Sequence, residues 1–134
     1  MLKLMFSVDI KIRDYECDQQ GIVNNAVYLN YLQYARHEYG LSTGLDWLEL
    51  GKQGIHLVIR RAELDYFLPL KPGMMVRVTA NPVRKGKFRL YFEQEILILP
   101  NEEVAVKALM TTACIIDGRP AAPPELDKWF GPPN

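Results

Sequence analysis

The chain has few residues of the kinds that bind metals through soft or nitrogen ligands. Its 134 residues include only two cysteines, Cys17 and Cys114, and two histidines, His37 and His56. No Cys-x-x-Cys motif and no closely spaced pair of histidines is present. A zinc site needs four convergent ligands, or three and a water, at recognisable spacing. We therefore expect no metal site.

Long apolar runs are also missing. No run approaches the roughly 20 residues that a membrane-spanning helix needs. The apolar start Met1–Phe6 gives way to a polar residue at every second position from Ser7 to Arg13, which does not fit the core of a signal peptide. We expect a cytoplasmic protein with no membrane span, or one of the plastid stroma if a transit peptide has been removed.

No excess of either charge is present, since 16 Lys and Arg residues balance 16 Asp and Glu residues. A broad basic surface for nucleic acid is therefore not expected. Hydrophobic residues make up 49% of the chain, enough for a core, and the length suits one domain over residues 1–134.

One helix and several strands are predicted from the spacing of apolar residues. Alternate residues from Phe6 to Ile12 are apolar, as in a half-buried strand. The polar stretch Asp14–Asn25 is a predicted loop. Helical spacing follows, with Asn24 or Asn25 as the N-cap and Gly40 or Gly44 near the end. Residues 46–52 predict a second, short helix. The apolar positions of the main helix are Tyr28, Tyr31, Leu32, Ala35 and Tyr39.

Four strands are predicted after the helices. The first, Ile55–Phe67, changes phase at Arg60-Arg61, which indicates a bulge. The second begins near Met74, a turn at Gly86 leads to the third, and the last ends near Ile116. The tail, residues 119–134, holds five prolines and is predicted to be irregular.

These elements predict an α+β architecture, with one long helix wrapped by a curved antiparallel sheet of about five strands. We expect tight turns to join the last four strands in sequential hairpins. An open sheet leaves exposed edges, so edge-to-edge dimerisation is expected.

Three carboxylates, those of Asp14, Glu16 and Asp18, precede the main helix. The free amides and dipole of a helix start favour negative charge. A carboxylate beside them could attack a carbonyl, or activate water, while the amides hold the developing oxyanion. Acidic residues before a helix also serve as simple caps, and the residues alone leave both interpretations open.

The run Glu16–Val23, E-C-D-Q-Q-G-I-V, resembles the D-x-D-x-x-G-x-V signature of the 4-hydroxybenzoyl-CoA thioesterase-like hotdog family. The following Asn24–Tyr28 is similar to long-chain acyl-CoA thioesterases. The longer run from Arg13 to Glu38 is similar to plant acyl-lipid thioesterases, which act on acyl carrier protein (ACP) thioesters. The resemblance implies the hotdog fold and a thioester hydrolase that uses no cofactor.

The resemblance also implies roles for residues. Asp18 matches the catalytic aspartate, as nucleophile or general base, and Asn25 matches the residue whose amide polarises the thioester carbonyl. Asn24, Gly21 and Tyr28 are expected to contact the substrate. Aromatic-CoA branches often carry Tyr-His where this chain has Asn24-Asn25, so an aliphatic acyl group is favoured.

The tight basic cluster at Arg84, Lys85 and Lys87 is a second candidate site. In the family, a basic segment near this place often meets the CoA phosphates, and it would equally suit an acidic carrier protein. Arg60 and Arg61 are further candidates. A solvated turn is the alternative interpretation.

The expected function is hydrolysis of an acyl-CoA or acyl-ACP thioester by a homodimer or homotetramer. Alternatives are an aromatic acyl-CoA thioesterase, of hydroxybenzoyl or dihydroxynaphthoyl type, and a non-catalytic acyl-binding protein. A hotdog dehydratase usually has a catalytic histidine in the corresponding loop, and none lies between Asp14 and Asn25.

Overall fold

A computed structural model describes residues 5–133 of the chain. The predicted elements are present, with additions near the C-terminus. A 3-10 turn, Asp14–Glu16, precedes the main helix. The strands are β1 Phe6–Lys11, β2 Ile55–Tyr66, β3 Met75–Lys85, β4 Arg89–Ile98, β5 Glu103–Ile116 and β6 Arg119–Pro120. The helices are α1 Asn25–Ser42, α2 Trp47–Lys52 and α3 Leu126–Phe130.

The sheet is antiparallel, in the order β1-β3-β4-β5-β2, and the two-residue β6 pairs with β5. Its buried face packs against α1, as expected for the hotdog fold. Val76 and Val78 of β3, Phe92 of β4 and Val106 of β5 have no exposed surface, and neither does Leu32 of α1. This is the predicted arrangement of a curved sheet around one long helix.

The order of strands corrects one expectation. β2 and β3 do not form a hairpin, because β2 pairs with β5 at one edge of the sheet while β3 lies between β1 and β4. The predicted bulge in β2 is confirmed, since the register with β5 shifts between Ile59 and Arg61. β1 and β2 form the two ends of the five-strand path.

The boundaries of α1 follow local chemistry. Asn24 is the N-cap, and its side chain accepts a hydrogen bond from the Ala26 amide. Gly40 does not end the helix. It lies inside α1, where a β-carbon would collide with the indole of Trp129, and the helix continues to Ser42.

The tail corrects a second expectation, because it is not wholly irregular. Leu126, Trp129 and Phe130 of α3 are buried, and the Tyr39 hydroxyl donates to the Trp129 carbonyl over 2.9 Å. The prolines precede or follow α3 rather than interrupt it, so they allow one short helix to dock on the core.

Candidate active site

The loop before α1 folds back as a small closed hairpin. Cys17 and Val23 form an antiparallel bridge, and the Asp18 amide donates to the Ile22 carbonyl over 2.9 Å. The Asn24 amide donates to the Glu16 carbonyl over 3.0 Å. These bonds hold Asp18 close to the start of the helix, as the sequence predicts.

The Asp18 side chain is exposed. Its Oδ1 accepts a hydrogen bond from the Gln20 amide at 2.8 Å, and within residues 5–133 its Oδ2 takes no donor. The Gly21 amide donates to the Asp18 carbonyl over 3.0 Å with φ +77°, a left-handed conformation that favours glycine. The turn therefore presents one carboxylate oxygen to a ligand, and Gly21 acts through its backbone.

The start of α1 leaves a backbone donor free. The Asn24 side chain accepts from Ala26 at 3.0 Å, and its carbonyl accepts from the Val27 amide at 2.9 Å. The Asn25 amide meets no acceptor in the part of the chain that the structure describes. Because the helix dipole is positive here, this N–H can hold a developing oxyanion.

Tyr28 lies one turn further along α1 and is only 3% exposed. Its ring makes edge-to-face contacts with Tyr66, at 5.1 Å between centroids, and with Tyr31, at 6.3 Å. Burial raises the pKa of its hydroxyl. Tyr28, a predicted substrate contact, is therefore itself buried behind the helix start, between the buried Tyr31 and the half-exposed Tyr66.

Glu16 is a buried carboxylate that the sequence analysis did not assign. It accepts hydrogen bonds from the Arg13 amide at 2.8 Å and from the Arg13 guanidinium at 2.9 Å. Burial opposes its ionisation, but these bonds and the neighbouring Tyr31 hydroxyl leave the pKa of Glu16 below its ordinary value. The signal that could have revealed this structural role was the three-residue spacing of Arg13 and Glu16, which lets the Glu16 side chain accept from the Arg13 amide and guanidinium.

Cys17, next to Asp18, does not make a good nucleophile. Burial, and then the negative charges of Asp18, Glu16 and Asp14, raise the pKa of its thiol. A raised pKa disfavours the reactive thiolate. The carboxylates are therefore better candidates than Cys17 for a reactive group in this loop.

Arg84 is a correction to the predicted basic site. Its side chain is 2% exposed and donates to Asp127 at 2.7 Å, to the Gly131 carbonyl at 2.8 Å and to the Lys87 carbonyl at 3.1 Å. These bonds tie α3 to the β3–β4 hairpin. Arg84 is therefore a structural anchor and is not presented to a phosphate.

The other predicted basic residues are exposed. Lys85 and Lys87 flank the hairpin turn, and Arg61 forms an ion pair with Glu63 at 3.1 Å. Arg60 shares a cavity of about 560 Å³ with Arg89. Arg89 was missed, although it lies two residues after Lys87 in the same basic run.

The loop and the basic hairpin lie at opposite ends of β3. Val23 bonds to Leu70 and Ile12 bonds to Met74, which ties the loop to the start of that strand. The hairpin follows Lys85 at its far end. Ten residue steps along a strand cover roughly 30 Å, so one protomer does not bring Asp18 and the hairpin together.

No group of three or more His, Cys, Asp or Glu side chains within residues 5–133 is arranged to hold a metal ion. In the same residues, no helix is long and apolar enough to cross a membrane.

A long helix wrapped by a curved antiparallel sheet defines the class of protein, the hotdog fold. The loop before this helix places a carboxylate beside the helix start, where the Asn25 amide has no acceptor among residues 5–133. The model of the thioesterase-like superfamily matches residues 12–130. The chain belongs to this superfamily and is a thioester hydrolase, as the resemblance to the 4-hydroxybenzoyl-CoA thioesterase-like family implies.

Three curated relatives are similar to this chain. The chain is 39% identical over 127 residues to a chloroplastic acyl-acyl carrier protein thioesterase of Arabidopsis thaliana, covering 92% of this chain and 67% of the relative. It is 28% identical over 106 residues to a long-chain acyl-CoA thioesterase of Escherichia coli, covering 79% of this chain and 80% of the relative. A second Arabidopsis acyl-acyl carrier protein thioesterase is 41% identical, and the chain spans only about half (53%) of its length.

Two solved structures support the fold. A Thermus thermophilus thioesterase in complex with coenzyme A and zinc is 37% identical, with a TM-score of 0.76, and the match covers 89% of this chain and 90% of that one. A 1,4-dihydroxy-2-naphthoyl-CoA thioesterase from Synechocystis is 19% identical, with a TM-score of 0.86, and covers 92% and 94%. At that identity the second match supports the fold alone.

Proposed function

We propose that this protein hydrolyses an aliphatic acyl-CoA or acyl-ACP thioester to a free acid and a thiol, with Asp18 as its catalytic carboxylate. One observation carries the proposal. An exposed carboxylate, with one oxygen held by the Gln20 amide and the other unbonded within residues 5–133, lies in a closed loop directly before the free Asn25 amide. This pairs an attacking or proton-accepting group with an oxyanion donor.

Two mechanisms use the same residues. As a nucleophile, Asp18 attacks the thioester carbonyl, expels the thiol and leaves a mixed anhydride that water then hydrolyses. As a general base, Asp18 takes a proton from the water that attacks the carbonyl. In both, the Asn25 amide stabilises the oxyanion, and Asn24 and Gly21 position the loop.

An aliphatic acyl group is supported by the names of the curated relatives, which act on acyl-ACP and on long-chain acyl-CoA. The absence of a histidine at position 25 points the same way. The aromatic acyl-CoA alternative is tested by including a hydroxybenzoyl-CoA in the substrate set. Cytoplasmic location stays a prediction, and the chloroplastic relative gives the plastid stroma as the alternative.

A homodimer or homotetramer is the proposed assembly. The outer side of β2 has no partner strand in the described chain, and Val58 and Ile59 on this strand are more than two-fifths exposed. A long edge strand leaves backbone N–H and C=O groups unpaired, and pairing with a strand of another copy would satisfy them. A partner copy could also bring the exposed basic residues Arg60, Lys85 and Lys87 closer to Asp18, which one protomer holds roughly 30 Å from the hairpin along β3.

The test replaces Asp18 by Asn in the full chain and measures thiol release from a series of acyl-CoA and acyl-ACP substrates. We expect kcat to fall by about 10²- to 10⁴-fold, the range for a lost acid–base group. Because Asp18 is exposed, the free energy of unfolding should change by less than about 0.5 kcal/mol.

Asp14→Asn is the matched control, since Asp14 is an exposed aspartate four residues away in the same loop. It should keep nearly all activity. Full turnover by the Asp18→Asn protein would refute the role of Asp18. Fast hydrolysis of the aromatic substrate and none of the aliphatic series would refute the substrate class.

A further inference from the structure

A second polar site lies away from Asp18, in a cavity of about 310 Å³ between α1 and the sheet. Arg36 of α1 contributes a guanidinium group to its wall. The indoles of Trp47 and Trp129 and the side chains of Leu57 and Phe92 provide apolar surface. By the helical rise of 1.5 Å per residue, Arg36 is about 16 Å along α1 from Asn25, so this cavity is separate from the loop.

The Arg36 side chain is partly buried and, among the described residues, has no acidic partner. Within residues 5–133 it forms no ion pair, and none of the residues that line the cavity is acidic. Its one hydrogen bond runs from Nη1 to the Gln94 side-chain oxygen at 2.9 Å. Burial lowers the pKa of Arg36 to about 10, which leaves it charged at neutral pH.

Gln94 fixes the orientation of this guanidinium. Its side-chain nitrogen donates to the Leu32 carbonyl at 3.1 Å and to the Thr79 carbonyl at 2.9 Å, and the residue is 2% exposed. The Gln94 oxygen is therefore held toward Arg36. A guanidinium has five N–H donors in a rigid fork, so four remain for another acceptor.

Two of the residues that line the cavity, Trp47 and Trp129, carry indole N–H groups. The indole N–H groups of Trp47 and Trp129 are buried and have no hydrogen-bond partner in the described part of the chain. A buried donor without an acceptor costs free energy, and a cation without a counter-ion costs more. The cavity thus combines the Arg36 guanidinium with apolar walls, and no carboxylate is among its described lining residues.

We propose that this cavity binds the carboxylate of an apolar carboxylic acid, with Arg36 as its counter-ion and the hydrocarbon part against the indoles, Leu57 and Phe92. A carboxylate matches the fork of an arginine and can accept further N–H bonds. Such an acid is also the class of product that the proposed thioesterase releases. The binding site itself does not depend on the role of Asp18.

Intrinsic fluorescence tests this directly, because the only two tryptophans of the chain, Trp47 and Trp129, both line the cavity. The full-length protein is titrated with sodium octanoate and, separately, with octanol, which has the same chain and no charge. We expect saturable binding of octanoate, at least about tenfold tighter than octanol, since charge-assisted hydrogen bonds contribute that much.

Arg36→Met should weaken octanoate binding at least about tenfold and leave octanol binding nearly unchanged. Arg36→Lys keeps the charge but lacks the planar fork, so its octanoate affinity should lie between those of the wild type and Arg36→Met. This variant keeps the test possible if Arg36→Met does not fold. Arg119→Met, at an exposed arginine outside the cavity, is the matched control and should bind octanoate like the wild type.

The Asp18→Asn protein separates this proposal from the proposed function, because it should bind octanoate like the wild type whether or not it hydrolyses thioesters. Equal affinity for octanol and octanoate would refute the carboxylate site. Octanoate affinity that is unchanged in both Arg36 variants, or no saturable binding at all, would also overturn it.

Discussion

The two ends of α1 have opposite surroundings. At the first end, Asn24, Asn25 and the neighbouring Asp18 are exposed, and a backbone donor is left free for a ligand. Near the last turn, Gly40 packs against the indole of Trp129, and Tyr39 bonds to the backbone of α3. One helix thus combines an open, polar end suited to chemistry with a closed, aromatic end suited to stability.

This contrast indicates that the groups proposed for activity and the groups that stabilise the fold lie at different ends of the same helix. Exposed polar groups contribute little to the free energy of unfolding, whereas a buried aromatic cluster contributes several kcal/mol. The aromatic rings around Trp129 pack edge to face, with centroid distances of 4.7 Å to Trp47, 5.8 Å to Tyr39 and 5.9 Å to Phe92. Substitutions at the closed end should therefore reduce stability first.

The largest expected effect on stability is from Trp129→Ala. Trp129 is 5% exposed, and its loss leaves a cavity at the closed end, so unfolding should become easier by about 3–5 kcal/mol. Urea unfolding followed by circular dichroism measures this. Leu48→Ala in α2, at a residue 69% exposed, is the control and should change little. An equal loss of unfolding free energy in Trp129→Ala and Leu48→Ala would show that Trp129 stabilises the fold no more than an exposed residue does.

A smaller effect is expected from Arg84→Met, which removes three hydrogen bonds, two of which hold α3 and its C-cap on the hairpin. The free energy of unfolding should fall by about 2 kcal/mol, since hydrogen bonds to a charged group contribute roughly 1.5–3 kcal/mol. Lys85→Met, at the exposed neighbour, should leave thermal unfolding unchanged. If Lys85→Met lowered stability as much, Arg84 would not be the anchor.

The smallest effect is expected at the open end from Glu16→Gln. The folded state lowers the pKa of Glu16, so its ionised form contributes stability above its unfolded pKa of 4.5, and this is lost as pH falls through the folded pKa. At pH 7 the variant should be less stable by about 1 kcal/mol, the usual contribution of a hydrogen bond.

Urea unfolding from pH 7 to pH 3 measures this dependence. The difference between wild type and Glu16→Gln should shrink toward acid. Gln19→Ala, at an exposed and uncharged residue of the same loop, is the control and should show no such trend. A constant difference across the pH range would show that the charge of Glu16 does not stabilise the loop.

The features that could be predicted from the sequence are those that depend on residues close together in the chain. The cap at Asn24, the bulge near Arg60-Arg61 and the short helix after Asp46 each depend on neighbours within a few residues. The loop of Asp18 was predictable as a candidate site for the same reason, and the resemblance to a known family added the roles of Asp18 and Asn25.

Contacts between distant parts of the chain could not be predicted. Arg84 and Asp127 are 43 residues apart, and Tyr39 and Trp129 are 90 apart. A basic run such as residues 84–87 looks the same in sequence whether a member is exposed or buried. Only the docking of α3 distinguishes Arg84 from Lys85.

The long helix, the short helix after Asp46, the main strands, a cap at Asn24 or Asn25 and the carboxylate-bearing loop could be predicted from the sequence alone, because period, capping and turn chemistry act locally. Only the folded chain shows that β2 pairs with β5, that the tail forms α3 and that Arg36 lines a cavity with no acidic residue among its described lining. Burial and pairing depend on which distant segments meet, and that is a property of the folded chain.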